Sequence, residues 1–129
     1  MNKKLLLTID VKCLEAPSVK GQVYTVVMVP FTGTAYGDYF NGEIIGTGVD
    51  TQKYNPEGQC SLSARYMLQG KDCSGADCKI FIENSQCDAN GWRPFLVTDS
   101  KYLAEWERIP LIATVDPAEG GVTVKIYEE

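Results

Sequence analysis

Apolar and polar residues alternate through much of the chain, starting with Leu5, Leu7, Ile9, Val11 and Cys13 set against Thr8, Asp10 and Lys12. A period of two marks a strand with one buried face. Residues 23–31 read as a second strand, apolar on both faces at Val26-Val27-Met28-Val29. Pro30 cannot donate to a ladder, so this strand is expected to stop there or to lie at an edge or bulge. Residues 35–40 and 43–47 read as a hairpin turning at Asn41-Gly42, a pair suited to a type I′ turn. From Gly46 to Gly58 the strand period disappears, and this stretch is expected to be a long ordered loop carrying Asp50. Residues 59–69 form the clearest strand. Cys60, Leu62, Ala64, Tyr66 and Leu68 define its core face, and Ser61, Ser63, Arg65, Met67 and Gln69 the other.

A polar loop at 70–78 leads to a strand at 79–85, a turn region at 85–91 and a shorter strand at 93–98. Asp99-Ser100 supplies an N-cap for one short helix near residues 100–107, with Tyr102, Leu103 and Trp106 at helical spacing before Pro110. Residues 109–115 and 122–127 form a terminal hairpin. Seven to ten short strands with one small helix define an all-β sandwich or barrel. A closed or nearly closed antiparallel β-barrel is favoured, because closure removes the edges that apolar strands would otherwise expose.

The 129 residues fit a single domain spanning 1–129. A formal net charge of −5 argues against nucleic acid, whose binding rests on clustered Lys and Arg. Lys3-Lys4 followed by Leu5-Leu6-Leu7 imitates the start of a signal peptide, but Asp10 interrupts the apolar run before it reaches the ~7 residues such a segment needs. No stretch approaches the roughly 18 apolar residues of a membrane span. The chain carries five cysteines and no histidine. An odd cysteine count without a secretion signal points to free thiols and a cytoplasmic location. The lack of histidine excludes Ser-His and Cys-His nucleophile pairs and imidazole metal sites.

The segments GEIIGTGVD, LSARYML, IFIEN and VTVKIYE resemble an uncharacterised bacterial family, the domain-of-unknown-function 3237 family. The family pattern, a glycine-rich turn ending in Asp followed by a strand bearing Arg-Tyr, falls here on Gly46, Gly48, Asp50, Arg65 and Tyr66. Thr47, Val49 and Thr51 interrupt the turn, where the family more often has adjacent glycines followed by Asp and an aromatic. The resemblance implies a small calycin-like barrel and carries no settled activity.

Asp50 and Arg65 are the candidate catalytic pair. The planar guanidinium would hold a carboxylate or enolate ligand while Asp50 orients it or serves as base. Two other readings stand beside this one: a structural Asp50–Arg65 ion pair, or an Arg65 that faces solvent, as its parity suggests. Tyr36, Tyr66, Glu83 and Asn84 are candidate ligand-binding residues at a barrel mouth, set against tyrosines that pack in the core and a solvated Glu83. Cys60, Cys73, Cys78 and Cys87 lack the paired spacing of a structural zinc site, so neither metal nor cofactor is expected. A Cys73–Cys78 redox pair is the weakest reading.

Trp92, Trp106 and Tyr102 are expected to cap a barrel end or join an oligomer contact, and the doubly apolar strands suggest a homo-oligomer. The leading functional expectation is a barrel that binds a small anionic or carbonyl-bearing metabolite. Any catalysis would be histidine-free proton transfer of the isomerase, dehydratase or cyclase type. The rival is a non-catalytic oligomerisation or interaction module.

Overall fold

Strand β1 (Lys4–Cys13) is paired along both edges, and this double pairing closes the sheet. On one side it runs antiparallel to β10 (Gly121–Glu128), with Ile9 opposite Val124. On the other it runs antiparallel to β3 (Thr25–Tyr36), with Ile9 opposite Ala35. The computed structural model describes residues 3–88 and 91–129, the side chains of 87 and 88 excepted. The remaining strands are β2 (Ser18–Lys20), β4 (Phe40–Ile44), β5 (Gly48–Tyr54), β6 (Cys60–Asp72), β7 (Asp77–Asp88), β8 (Gly91–Thr98) and β9 (Leu111–Ala118). They form a closed eight-stranded antiparallel barrel. β2 prolongs the position of β1 along the edge of β3. β4 and β5 lie end to end between β3 and β6. No helix among the described residues is long and apolar enough to cross a membrane.

Pro30 does not end its strand, which continues to Tyr36. Backbone groups of alternate residues point to the same side of a strand. Met28 N–H donates to the Pro17 carbonyl, and the Pro30 carbonyl accepts from Leu14 N–H. The donor that Pro30 lacks therefore faces the connection between β1 and β2, where no ladder partner waits. Asn41-Gly42 is not a turn either. Both residues lie in β4, and Gly42 sits opposite Gly70 of β6. A Cβ on Gly42 would overlap the Gln69 carbonyl, and one on Gly70 would overlap that of Asn41. These glycines permit close backbone approach, so the pair mimics a turn signal for another reason.

The barrel has a filled base and a hollow mouth. Toward the base, Leu7, Phe40, Leu68, Ile80 and Ile126 are almost wholly inaccessible. The expected helix is a single 3-10 turn, Ala104–Glu107, with Trp106 buried within it and Leu103 buried just before it. Trp106 meets Tyr39 edge-on at 6.0 Å. Tyr102 stays 66% exposed, and Trp92 lies at the opposite end of the barrel, so the three aromatics do not form one cap.

Asp72 fastens the base. Its carboxylate accepts from Ser74 N at 2.9 Å, Ser74 Oγ at 2.5 Å, Ala76 N at 3.3 Å and Ser100 Oγ at 2.7 Å. Ser100 Oγ in turn accepts from Leu103 N at 3.2 Å, a bond in the turn that precedes the 3-10 segment. The segment's own N-cap is Leu103, with no side-chain cap, so the expected cap at Asp99-Ser100 is not formed. The hydroxyls of Ser74 and then Ser100 hold the Asp72 carboxyl below its ordinary value of 3.8. A depressed folded-state pKa stabilises the fold above the ordinary value and ceases to do so as pH falls through the folded one. Asp72→Asn should lower the melting temperature by several degrees at pH 7 and flatten the acid limb of the stability curve below about pH 4. Thermal melts across pH would refute this if variant and parent lost stability in parallel.

Candidate functional site

The hollow mouth follows from which side chains the register sets inward. One interior belt runs Val29, Asp50, Ala64, Asn84 and Pro94 across β3, β5, β6, β7 and β8. Ala64 lies between Asp50 and Asn84, and all three line one shared space. One layer deeper, Phe31 and Tyr66 meet edge-on at 5.4 Å. They close around Gly48, where a Cβ would collide with the Phe31 ring and the Tyr66 Cβ. One layer nearer the rim stand Gln52, Leu62 and Trp92. The result is a cavity of about 320 Å³, within the range of small-molecule sites.

The walls are mainly apolar, with Val11, Val115, Val122 and Val124 from the closing strands. Three oxygens interrupt them: Asp50 Oδ1, Tyr66 OH and Asn84 Oδ1. Each is buried from solvent, and none has a protein hydrogen-bond partner. Leaving such a group unpaired costs about 1–3 kcal/mol. Burial pushes the Tyr66 phenol well above its ordinary value of 10.0, so near neutral pH the hydroxyl is protonated and able to donate. The other two oxygens are acceptors.

Asp50 is held from behind. Gln52 Nε2 donates to Asp50 Oδ2 at 2.9 Å, and Tyr54 OH donates to Gln52 Oε1 at 2.9 Å. These residues lie on β5, so Asp50 is on a strand rather than on the expected loop. The strand escaped periodicity because its inward positions, Gly48, Asp50, Gln52 and Tyr54, are polar or lack a side chain. Gln52, Tyr54 and Trp92 were not among the candidate ligand residues. A polar file at alternate positions was the signal available for the first two.

Arg65 does not join Asp50. It lies on the outward parity of β6, and its Nε contacts Glu83 Oε2 of β7 at 2.5 Å. Its side chain is 62% exposed. The expected Asp50–Arg65 pair is therefore corrected, because adjacent parities on β6 place Arg65 outside and Ala64 and Tyr66 inside. Glu83 is outside with it. Tyr36 is also on the outer surface, where its hydroxyl reaches Asp10 Oδ1 at 3.4 Å. Of the six candidate residues, Asp50, Tyr66 and Asn84 share the cavity and Arg65, Tyr36 and Glu83 do not.

Cys13, Cys60, Cys73 and Cys78 are free thiols, so Cys73 and Cys78 form no disulfide. The Cys87 side chain lies outside the described residues. Among the described residues, no group of three or more Cys, Asp or Glu is arranged to hold a metal ion.

Fold and cavity together define a small eight-stranded β-barrel with an apolar interior pocket at one end. The chain belongs to the DUF3237 family of proteins of unknown function, whose family profile matches residues 2–85. That span contains Gly48, Asp50, Tyr66 and Asn84. A UPF0311 protein of Clostridium acetobutylicum is 39% identical over 54 residues, which cover 42% of this chain and 32% of that protein. The chain thus matches less than two thirds of its curated relative's length. A crystal structure of a protein with unknown function from Clostridium acetobutylicum superposes with a TM-score of 0.77 at 22% identity, covering 99% of both chains. A crystal structure of an enzyme from Penicillium herquei superposes with a TM-score of 0.75 at 15% identity, covering 98% of this chain and 92% of that one. At these identities the likeness is one of fold.

Two substitutions separate the inner and outer faces. Arg65→Ala should change stability by less than about 1 kcal/mol, as expected for an exposed ion pair. Gly48→Ala should cost about 1–3 kcal/mol by forcing Phe31 and Tyr66 apart. Equal losses in urea unfolding would refute the assignment of faces.

Proposed function

We propose that this barrel binds a small, neutral, largely apolar molecule bearing both a carbonyl oxygen and an O–H or N–H group. The supporting observation is the set of three unpartnered oxygens in one apolar cavity. Tyr66 would donate to the carbonyl, and Asp50 and Asn84 would accept from the ligand's donors. With Arg65 on the outer face, no described lining residue is cationic. An anionic ligand would meet Asp50 with like charge, so the carbonyl half of the sequence expectation is retained and the anionic half is not.

The chemistry this arrangement suits is proton transfer. A carboxylate beside a carbonyl that a phenol polarises can take a proton from an adjacent carbon or a conjugated hydroxyl. The proton returns to the product at another atom, which regenerates the carboxylate. Isomerisation, dehydration and cyclisation fall within this class, and the fold's use by an enzyme from Penicillium herquei supports a chemical role. The free thiols are consistent with a reducing, cytoplasmic setting.

The oligomerisation reading keeps one observation of its own. Met67, Phe95 and Val97 are 41%, 58% and 43% exposed on the outer face of β6–β8, where the Phe81 and Phe95 rings meet at 6.3 Å. Self-association through this strip is compatible with a ligand cavity inside.

Tyr66→Phe separates structure from function, because it removes an unpaired buried hydroxyl. The ligand-free variant should be as stable as the parent or more stable by about 1 kcal/mol. Burial delays Tyr66 ionisation in the fold but not in the unfolded chain, so the parent should lose stability above about pH 10 more steeply than the variant. In a thermal-shift screen of neutral hydroxy-carbonyl metabolites, those that stabilise the parent should not stabilise Tyr66→Phe or Asp50→Asn. Destabilisation of ligand-free Tyr66→Phe by several kcal/mol would assign the hydroxyl a structural role instead.

A further inference from the structure

We propose that Gln52 and Tyr54 are positioning residues that orient Asp50 so that its Oδ1 meets the ligand as an acceptor, which makes a hydrogen-bond donor on the ligand a requirement for tight binding. This rests on the reading of the mouth cavity as a ligand site.

The donors of the β5 file all run one way. Tyr54 O–H points to Gln52 Oε1, which leaves the Gln52 amide nitrogen to point to Asp50 Oδ2. An amide N–H directed at a carboxylate is a charge-assisted bond and fixes the carboxylate in place. It occupies Oδ2 and leaves Oδ1, in a residue that lines the cavity, without a protein hydrogen-bond partner. Were the amide reversed, its oxygen would face the carboxylate, acceptor against acceptor. Tyr54 opposes that reversal by donating to Oε1. The neighbouring Cys60 and then burial raise its phenol above the ordinary value of 10.0.

A site that accepts through a carboxylate discriminates strongly against a ligand lacking the donor, because the carboxylate is then left unpaired. The cavity is large enough for a two-ring probe, given that a dry cavity of about 150 Å³ takes benzene. Binding of 2-naphthol and of 2-methoxynaphthalene can be followed by quenching of Trp92, which lines the cavity, while Trp106 remains buried at the base. The two probes differ in the hydroxyl proton.

The parent should favour 2-naphthol by about tenfold or more, the worth of one hydrogen bond to a carboxylate. Tyr54→Phe and Gln52→Leu should cut that ratio to about threefold or less, and Asp50→Asn should cut it likewise. Lys53→Ala, at the outward-facing neighbour, should leave the ratio intact. Tyr54→Phe removes a single oxygen, so it tests the proposal even if Gln52→Leu fails to fold. An undiminished ratio in Tyr54→Phe would overturn the positioning role. Equal binding of both probes by the parent would overturn the donor requirement while the ligand site stands. Binding of neither probe would overturn the ligand site and the proposal with it.

Discussion

The placement of β1 between β3 and β10 is the constraint on which the rest depends. With β1 paired on both edges, the sheet has no choice but to curl, and the inward parity of every strand becomes interior. A barrel of eight strands encloses a space just wide enough to be filled by side chains or to hold one small ligand. This chain does both at different depths. Phe40, Leu68, Ile80 and Leu103 fill the base, whereas Ala64, Gly48 and a set of valines leave the mouth open.

The open half is costly. Three unpaired buried oxygens amount together to roughly 3–9 kcal/mol of unfavourable desolvation, a large share of the 5–15 kcal/mol by which a domain is usually stable. Replacing Tyr66 by an apolar residue of similar shape would relieve its share of that cost without disturbing a ladder, whereas replacing Asp50 would also strip the Gln52 amide of its acceptor. The base carries the compensation: its apolar side chains are fully packed, and Asp72, its buried carboxylate, has four donors. Of these two carboxylates, Asp72 is satisfied within the protein, whereas Asp50, in the wall of the cavity, keeps one oxygen without a partner.

Fold class was legible wherever strands bury one face against solvent on the other. The strand at β6 was read with the correct parity, and that parity already placed Arg65 outside. The strand at β5 was invisible to the same method, because alternation reports burial of apolar groups and β5 turns Asp50, Gln52 and Tyr54 inward. Asn41-Gly42 misled for a related reason: glycine serves both turns and close strand approach, and only the partner Gly70 tells them apart. For the site, Asp50, Tyr66 and Asn84 were named but joined to the wrong companions. Chemical type drew Arg65 and Glu83 into the same group, and strand parity separates them.

The same parity bears on how relatives of this fold should be compared. Solved barrels superpose on this chain over nearly its whole length at 15–22% identity, so the backbone tolerates replacement of most side chains. The lining of such a barrel's open half is then set by a few inward positions, and outward positions next to them in sequence take no part in it. Arg65 and Tyr66 are adjacent in the chain, yet one meets solvent and the other the cavity. A motif that spans both, read as a unit, mixes a surface ion pair with a cavity-lining group. Asp50, Ala64 and Asn84, which are distant in sequence but side by side in the belt, form the unit that has chemical meaning.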